Sequence, residues 1–69
     1  MNEAAAEKSH LVDGLPEEYT VSERQTFEGP RFFPRRNGET FVQADGRETS
    51  YATLVAASES LHEYVKGMR

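Results

Sequence analysis

The feature that most constrains the fold is an amphipathic pattern between Tyr51 and Lys66. Apolar or compatible side chains recur there with the spacing of a 3.6-residue repeat, which is typical of a helix with one buried face. These positions are Tyr51, Leu54, Val55, Ser58, Leu61, His62 and Val65. The pattern predicts one helix over residues 51–66, capped by Thr49 or Ser50, whose apolar face must be covered by the rest of the fold or by a partner.

A second interpretation applies to residues 48–55. Asp45-Gly46 is a turn sequence, and alternate residues after it suit a strand. The alternating positions are Thr49, Tyr51, Thr53 and Val55. The helical pattern matches more positions over a longer span, so we favour the helix and keep a strand followed by a shorter helix as the alternative.

The best strand signal is the hairpin sequence around Asn37-Gly38. Asn-Gly suits a type I′ turn because both central residues need positive φ. The two arms, residues 31–36 and 39–44, contain Phe, Thr and Val side chains that favour strands. Residues 19–27 alternate in a way that predicts a third strand, with a helix as the competing interpretation.

The chain has 69 residues, so one small domain is the most it can form. Such a domain is usually marginal in stability, and without cysteine neither a disulfide nor a thiolate metal site can strengthen it. We expect residues 1–14 to be a flexible acidic arm and residues 15–69 to form a single α+β domain. Its predicted architecture is a short antiparallel sheet of two or three strands with the C-terminal helix on one face. The predicted core is Val21, Phe33, Phe41, Tyr51, Leu54, Val55, Leu61 and Val65.

Nothing in the sequence indicates catalysis. No cysteine nucleophile is present, and no serine or threonine lies in a nucleophile-elbow context. Glu59 and His62 have the spacing of one half of a di-metal motif, but such a site needs a second motif and further glutamates. We therefore predict a protein that is not an enzyme and has no catalytic, cofactor or metal site. The absence of cysteine and of long apolar runs leads us to expect a cytoplasmic location and no membrane partner.

The strongest functional candidate is the sequence Arg-Phe-Phe-Pro-Arg-Arg at residues 31–36. Arginine and aromatic side chains are enriched in interface hot spots, and the same residue types can track phosphates and stack bases. A net charge of −4 counts against nucleic acid. We predict a small interaction or regulatory module that acts through protein–protein contact as a homodimer. The alternative is a nucleic-acid-binding module that uses residues 31–36. The predicted partner-binding residues are Arg31, Phe32, Arg35, Arg36, Arg47, Ala52 and Ala56.

Two further expectations concern how these surfaces are covered. Ala52, Ala56 and Ala57 give the predicted helix a flank of small residues that a second chain could approach closely. Residues 1–28 carry seven acidic side chains against Lys8 and Arg24, a net charge of −5. We therefore hypothesise that the acidic arm folds back on the chain's own arginines, or on those of a neighbour, and masks them.

Overall fold

The computed structural model describes residues 7–68 of the chain. They form four strands and one helix: β1 (Lys8–Leu11), β2 (Tyr19–Thr26), β3 (Gly29–Arg36), β4 (Glu39–Thr40) and α1 (Leu54–Gly67). The strands make one antiparallel sheet in the order β1-β2-β3-β4. The predicted α+β class is confirmed, and the sheet has four strands where two or three were predicted.

Strand β1 lies within the segment that the sequence predicted to be a flexible arm. It pairs antiparallel with β2, from Lys8 opposite Glu23 to Leu11 opposite Thr20. Val12, directly after it, is buried in the core. The predicted arm is therefore wrong for residues 8–12, because backbone pairing and one buried valine hold a segment that shows no apolar alternation. Residues 1–6 of that arm lie outside the described residues.

Strands β2 and β3 form the central hairpin. The strand interpretation of residues 19–27 is confirmed over the helix, with the last strand residue at Thr26. Phe27 shares the parity of the buried Tyr19 and Val21, yet it lies in the turn and is fully exposed. Strand β3 starts two residues earlier than predicted, at Gly29, which closes the turn with a φ of 104°.

The turn between β3 and β4 has the predicted conformation, but β4 is shorter than predicted. Asn37 and Gly38 have φ values of 52° and 83°, as a type I′ turn requires. Strand β4 ends at Thr40 instead of residue 44, because the chain then makes a second small turn over residues 43–47. The outer edge of β3 is continued by Tyr51, which exchanges two 2.8 Å backbone hydrogen bonds with Phe32.

Helix α1 begins three residues later than predicted. Its N-cap is Thr53, whose side-chain oxygen accepts a 3.1 Å hydrogen bond from the Ala56 backbone N–H. Residues 48 and 51 pair as isolated bridges with residues 42 and 32. Residues 48–51 are therefore extended and not helical, as the alternative interpretation of a strand before a shorter helix predicted. That alternative placed the start of the helix too late, after residue 55 instead of at Leu54. No helix within residues 7–68 is long and apolar enough to cross a membrane.

The core lies between α1 and one face of the sheet. Its buried residues are Val12, Tyr19, Val21, Ala57 and Leu61, and its half-buried flank is Leu15, Phe32, Phe41, Tyr51, Leu54 and Val65. Two predicted core residues lie elsewhere. Phe33 is buried on the opposite face of the sheet, and Val55 is 66% exposed. Ala57 and Leu61 define the side of α1 that faces the sheet. With 3.6 residues per turn, Val55 points more than a quarter of a turn away from that side of the helix.

Candidate functional site

The sheet face that points away from α1 carries three arginines around a phenylalanine. Successive side chains alternate between the two faces of a strand. The register places Arg24 opposite Arg31 and Ser22 opposite Phe33. Arg24, Arg31, Phe33 and Arg35 therefore share one face, which we call the arginine face. The helix packs on the other side of the sheet, and no second helix or sheet is present within residues 7–68 to cover the arginine face.

Phe33 is shielded from water by an arginine. The Arg24 guanidinium lies 4.2 Å from the centroid of the Phe33 ring, a separation at which a cation is attracted to the π-electrons of the ring. The phenylalanine is only 6% exposed as a result. A planar ligand therefore reaches this ring only after Arg24 has moved.

Two arginines hold the same carboxylate, that of Glu7. Arg24 Nε donates to Glu7 Oε2 at 2.7 Å, and Arg35 Nη2 donates to Glu7 Oε1 at 3.2 Å. The Arg35 guanidinium also donates to Ser22 Oγ at 2.6 Å and to the Gly38 carbonyl at 2.8 Å. Both carboxylate oxygens are thus held by guanidiniums that have further contacts of their own. We call Ser22, Arg24 and Arg35 the carboxylate clamp.

Glu48 provides a second carboxylate on the arginine face. It accepts hydrogen bonds from Thr40 Oγ1 at 2.9 Å and from Arg24 Nη1 at 3.3 Å. The Thr40 hydrogen bond, followed by the Arg24 contacts, lowers the pKa of Glu48. The hydrogen bond to Glu7 is the main reason that the pKa of Arg24 is raised. The two directions agree, since each charged group stabilises the charged form of its neighbour.

Another part of the arginine face borders an open cleft of about 440 Å³. The cleft lies between the β2–β3 turn and residues 43–50, and its lining includes Arg31, Arg47 and the exposed Phe27. Arg31 is held in place by Ser50, whose Oγ accepts from Nε at 3.2 Å and from Nη2 at 3.0 Å. Two cations and one accessible aromatic ring thus border a single recess, together with the carboxylates of Glu28 and Glu48.

The structure separates the residues that the sequence grouped as one strip. Arg31 and Arg35 lie on the arginine face, whereas Phe32 packs toward the core. Arg36 lies on the helix side, with its guanidinium 6.0 Å from the centroid of the Tyr19 ring. Alternation along an extended strand has this effect on any run of adjacent residues.

The remaining predicted partner-binding residues are distributed over two other places. Arg47 belongs to the exposed turn, where its Nε lies 3.7 Å from the Asp45 carboxylate. Ala52 is exposed just before α1, and Ala56 is half-buried in the first turn of the helix. Ala57 is fully buried against the sheet, so the predicted small-residue flank is wrong at that position.

Arg24, Glu48 and Phe27 are components of the site that the sequence interpretation did not single out. Arg24 lies on β2 with the parity opposite to Tyr19 and Val21, a signal that becomes useful only when the β2–β3 register is known. The masking hypothesis did anticipate a carboxylate from the acidic segment, and Glu7 belongs to that segment.

Each of the two histidines makes a polar contact with a residue distant in the sequence. His10 Nε2 lies 3.1 Å from Glu23 Oε1, and His62 Nε2 lies 2.9 Å from the Asp13 carbonyl oxygen. In the part of the chain that the structure describes, no three potential metal ligands among His, Asp and Glu lie close enough together to hold a metal ion.

Comparison with known proteins identifies no relative for this arrangement. No family model matches the chain, and neither a curated protein nor a solved structure matches it. What the chain can bind is therefore inferred from the geometry and chemistry of its own residues, above all those of the arginine face.

Proposed function

We propose that this chain is a non-enzymatic interaction module that binds a partner protein through its arginine face. The observation that supports the proposal is a sheet face with three arginines, one buried phenylalanine and an exposed aromatic ring at its border. Arginine and aromatic side chains contribute most of the binding free energy at many protein interfaces. Here the sheet and the contacts to Ser22 and Ser50 hold the arginine side chains in place before binding, which reduces the entropy lost on association.

Nucleic acid is the second candidate, and the recess with Arg31 and Arg47 favours it. Two observations count against it. Glu28 and Glu48 line the same recess as Arg31 and Arg47, and these carboxylates would repel the phosphates that the two cations would neutralise. The Phe33 ring lies beneath Arg24 and offers no surface on which a base could stack.

The proposal is tested by capture with matched variants. Immobilised wild-type protein, Arg31→Gln and Arg36→Gln are exposed to nuclease-treated lysate of the native host. The two substitutions change the charge equally on opposite faces of β3. We expect a protein that is retained by wild type and Arg36→Gln and lost with Arg31→Gln. Equal retention by all three would contradict binding through the arginine face. Salt-dependent binding of mixed oligonucleotides that only Arg31→Gln loses would support the nucleic-acid alternative.

We propose in addition that the module associates as a homodimer through the start of α1. Leu11 and Val55 are 70% and 66% exposed and line one recess, so a second copy would remove two large apolar side chains from water. Ala56→Arg, in the first turn of the helix, should weaken association and leave the helix content nearly unchanged. Sedimentation velocity and far-UV circular dichroism measure the two effects, and a wild-type protein that stays monomeric at all concentrations would contradict the dimer.

A further inference from the structure

We infer that the carboxylate clamp is a binding site for a glutamate or aspartate side chain from an acidic segment of a partner protein, and that Glu7 occupies this site in the free chain. The inference rests on the arginine face being the binding surface proposed above. It adds the chemistry that the surface recognises and the group that a partner must replace.

The geometry of the clamp suits a carboxylate. Arg24 and Arg35 donate to different oxygens of the same Glu7 carboxylate, at 2.7 and 3.2 Å. Charge-assisted hydrogen bonds from guanidinium N–H groups are among the stronger polar contacts in proteins. Since a glutamate side chain fits the site in the chain itself, a glutamate from another chain meets the same two donors.

The clamp should keep its shape when Glu7 leaves. Arg35 stays bonded to Ser22, which is buried, at 2.6 Å. Arg24 stays over the Phe33 ring and bonded to Glu48 at 3.3 Å. An incoming carboxylate therefore finds both guanidiniums already oriented, which lowers the entropic cost of binding.

Glu7 can be exchanged without opening the sheet. The β1–β2 ladder begins with Lys8 opposite Glu23, so Glu7 lies outside the paired residues. The Glu7 and Arg24 side chains are 32% and 34% exposed, and ion pairs exposed to this degree contribute little to stability. A competing carboxylate can thus displace the Glu7 side chain while the strand stays in place.

The charge balance favours an acidic protein segment over a nucleic acid. Arg24 and Arg35 bring two positive charges, and Glu48 already supplies one negative charge beside Arg24. When Glu7 leaves, these three side chains carry a net charge of about +1, which a single carboxylate neutralises. A flexible peptide can place one carboxylate in the clamp and turn its other side chains away from Glu48, whereas the phosphates of a nucleic acid are fixed along its backbone and those beside Glu48 would be repelled.

The test is a fluorescence anisotropy titration with a labelled hexaglutamate peptide at low ionic strength. Glu7→Gln is compared with Glu63→Gln, which removes the same charge from an exposed position on α1. We expect Glu7→Gln to tighten binding about three- to tenfold more than Glu63→Gln, the range set by loss of one or two exposed ion pairs. Arg35→Gln should weaken binding more than Arg36→Gln, its neighbour on the other face of the strand.

The outcomes separate this inference from the proposed function. Equal tightening by Glu7→Gln and Glu63→Gln would show an effect of net charge alone and overturn the role of Glu7. A selective loss with Arg35→Gln would still support the arginine face. If neither wild type nor Glu7→Gln binds hexaglutamate, the carboxylate site is wrong, and the lysate capture with Arg31→Gln decides separately whether the face binds a protein. Binding of oligothymidylate instead would favour nucleic acid.

A direct readout does not depend on how well each arginine variant folds. In folded Glu7→Gln protein, the Arg24 and Arg35 Nε–H signals in a proton–nitrogen correlation spectrum should shift on addition of hexaglutamate. Hexaglutamine serves as the uncharged control and should leave them in place. Signals that stay fixed with both peptides would overturn the clamp as a binding site.

Discussion

The contact between Arg24 and Glu7 can be measured as a coupling free energy. Arg24→Gln, Glu7→Gln and the double variant complete a cycle with wild type that isolates the pairwise interaction. At a charge separation of about 4 Å the Coulomb attraction is about 1 kcal/mol in water and about 4 kcal/mol at a protein surface. Exposed pairs keep only about 0.2–1 kcal/mol of this after screening and side-chain ordering. The hydrogen bond is short, at 2.7 Å, and both side chains are only about one third exposed. We therefore expect a coupling near the upper limit, about 1 kcal/mol.

The four proteins are compared by urea unfolding, followed by far-UV circular dichroism. Arg24→Gln also loses the contact with Phe33, worth about 0.5–1 kcal/mol, but that loss is common to the single and double variants and cancels in the cycle. The coupling should fall sharply in about 1 M salt, where the screening length is about 3 Å. A coupling of zero at low salt would refute the contact on which the clamp depends. A coupling that salt leaves unchanged would refute its electrostatic origin.

The other predictions concern the core, a turn and the second carboxylate. Leu61 is 1% exposed, so Leu61→Ala should cost about 2–5 kcal/mol of unfolding free energy. In the monomer, at protein concentrations too low for association, Val55→Ala should cost less than about 0.5 kcal/mol, and equal effects of the two substitutions in urea would contradict the position of Val55 on the exposed side of α1. Gly38 has a φ of +83°, and a Cβ at this position would meet no neighbouring atom within 4 Å. Gly38→Ala should therefore cost about 1–2 kcal/mol through backbone strain alone, and an unchanged melting temperature would argue against the type I′ turn. The pKa of Glu48 is lowered, chiefly by the Thr40 hydrogen bond, so the folded state binds fewer protons than the unfolded chain in mildly acidic solution. The stabilisation is present above the unfolded pKa and is lost as the pH falls through the lower folded pKa. Glu48→Gln should flatten this part of the curve of melting temperature against pH, and identical curves would count against the contact.

The helix shows how much a periodic pattern can predict. Its existence and approximate end follow from the spacing of Leu54, Leu61 and Val65, but its start does not. Tyr51 fits the helical stripe because it is apolar and contacts the core, yet it does so from an extended segment paired with Phe32. A backbone pair between residues 19 apart in sequence leaves no periodic signal, and only the fold decides between the two conformations.

Strand β1 was not predicted because its pairing with a distant strand also leaves no periodic signal in the sequence. Its four residues are mostly polar, and its pairing partner on β2 is separated from it by a connection of seven residues. Edge strands with one exposed face and little apolar content resemble flexible termini in sequence. Leu11 and Val12 are the apolar residues of this segment, and two adjacent apolar residues without alternation are too weak a signal to predict a strand.

The candidate site depends even more on long-range register. The residue types are visible at Arg31 and Arg35, but their grouping with Arg24 and Glu7 follows from the pairing of β2 with β3 and of β1 with β2. The sequence suggests a continuous basic strip. An extended strand instead sends alternate side chains to opposite faces, so Arg35 and Arg36 have different surroundings despite being neighbours.

The carboxylate clamp couples binding to the stability of the sheet edge. Glu7 immediately precedes β1, and its side chain crosses to the arginines of β2 and β3, so the same contact stabilises the edge strand and fills the site. A partner that displaces Glu7 should leave β1 paired with β2 but make transient opening of this edge strand more frequent, and opening of β1 should in turn vacate the clamp. This reciprocity follows from thermodynamic linkage, since each equilibrium must change the other by the same factor. The backbone amides of β1 are therefore expected to exchange with solvent faster in Glu7→Gln than in Glu63→Gln, and faster in wild-type protein with an acidic peptide in the clamp than in free wild-type protein.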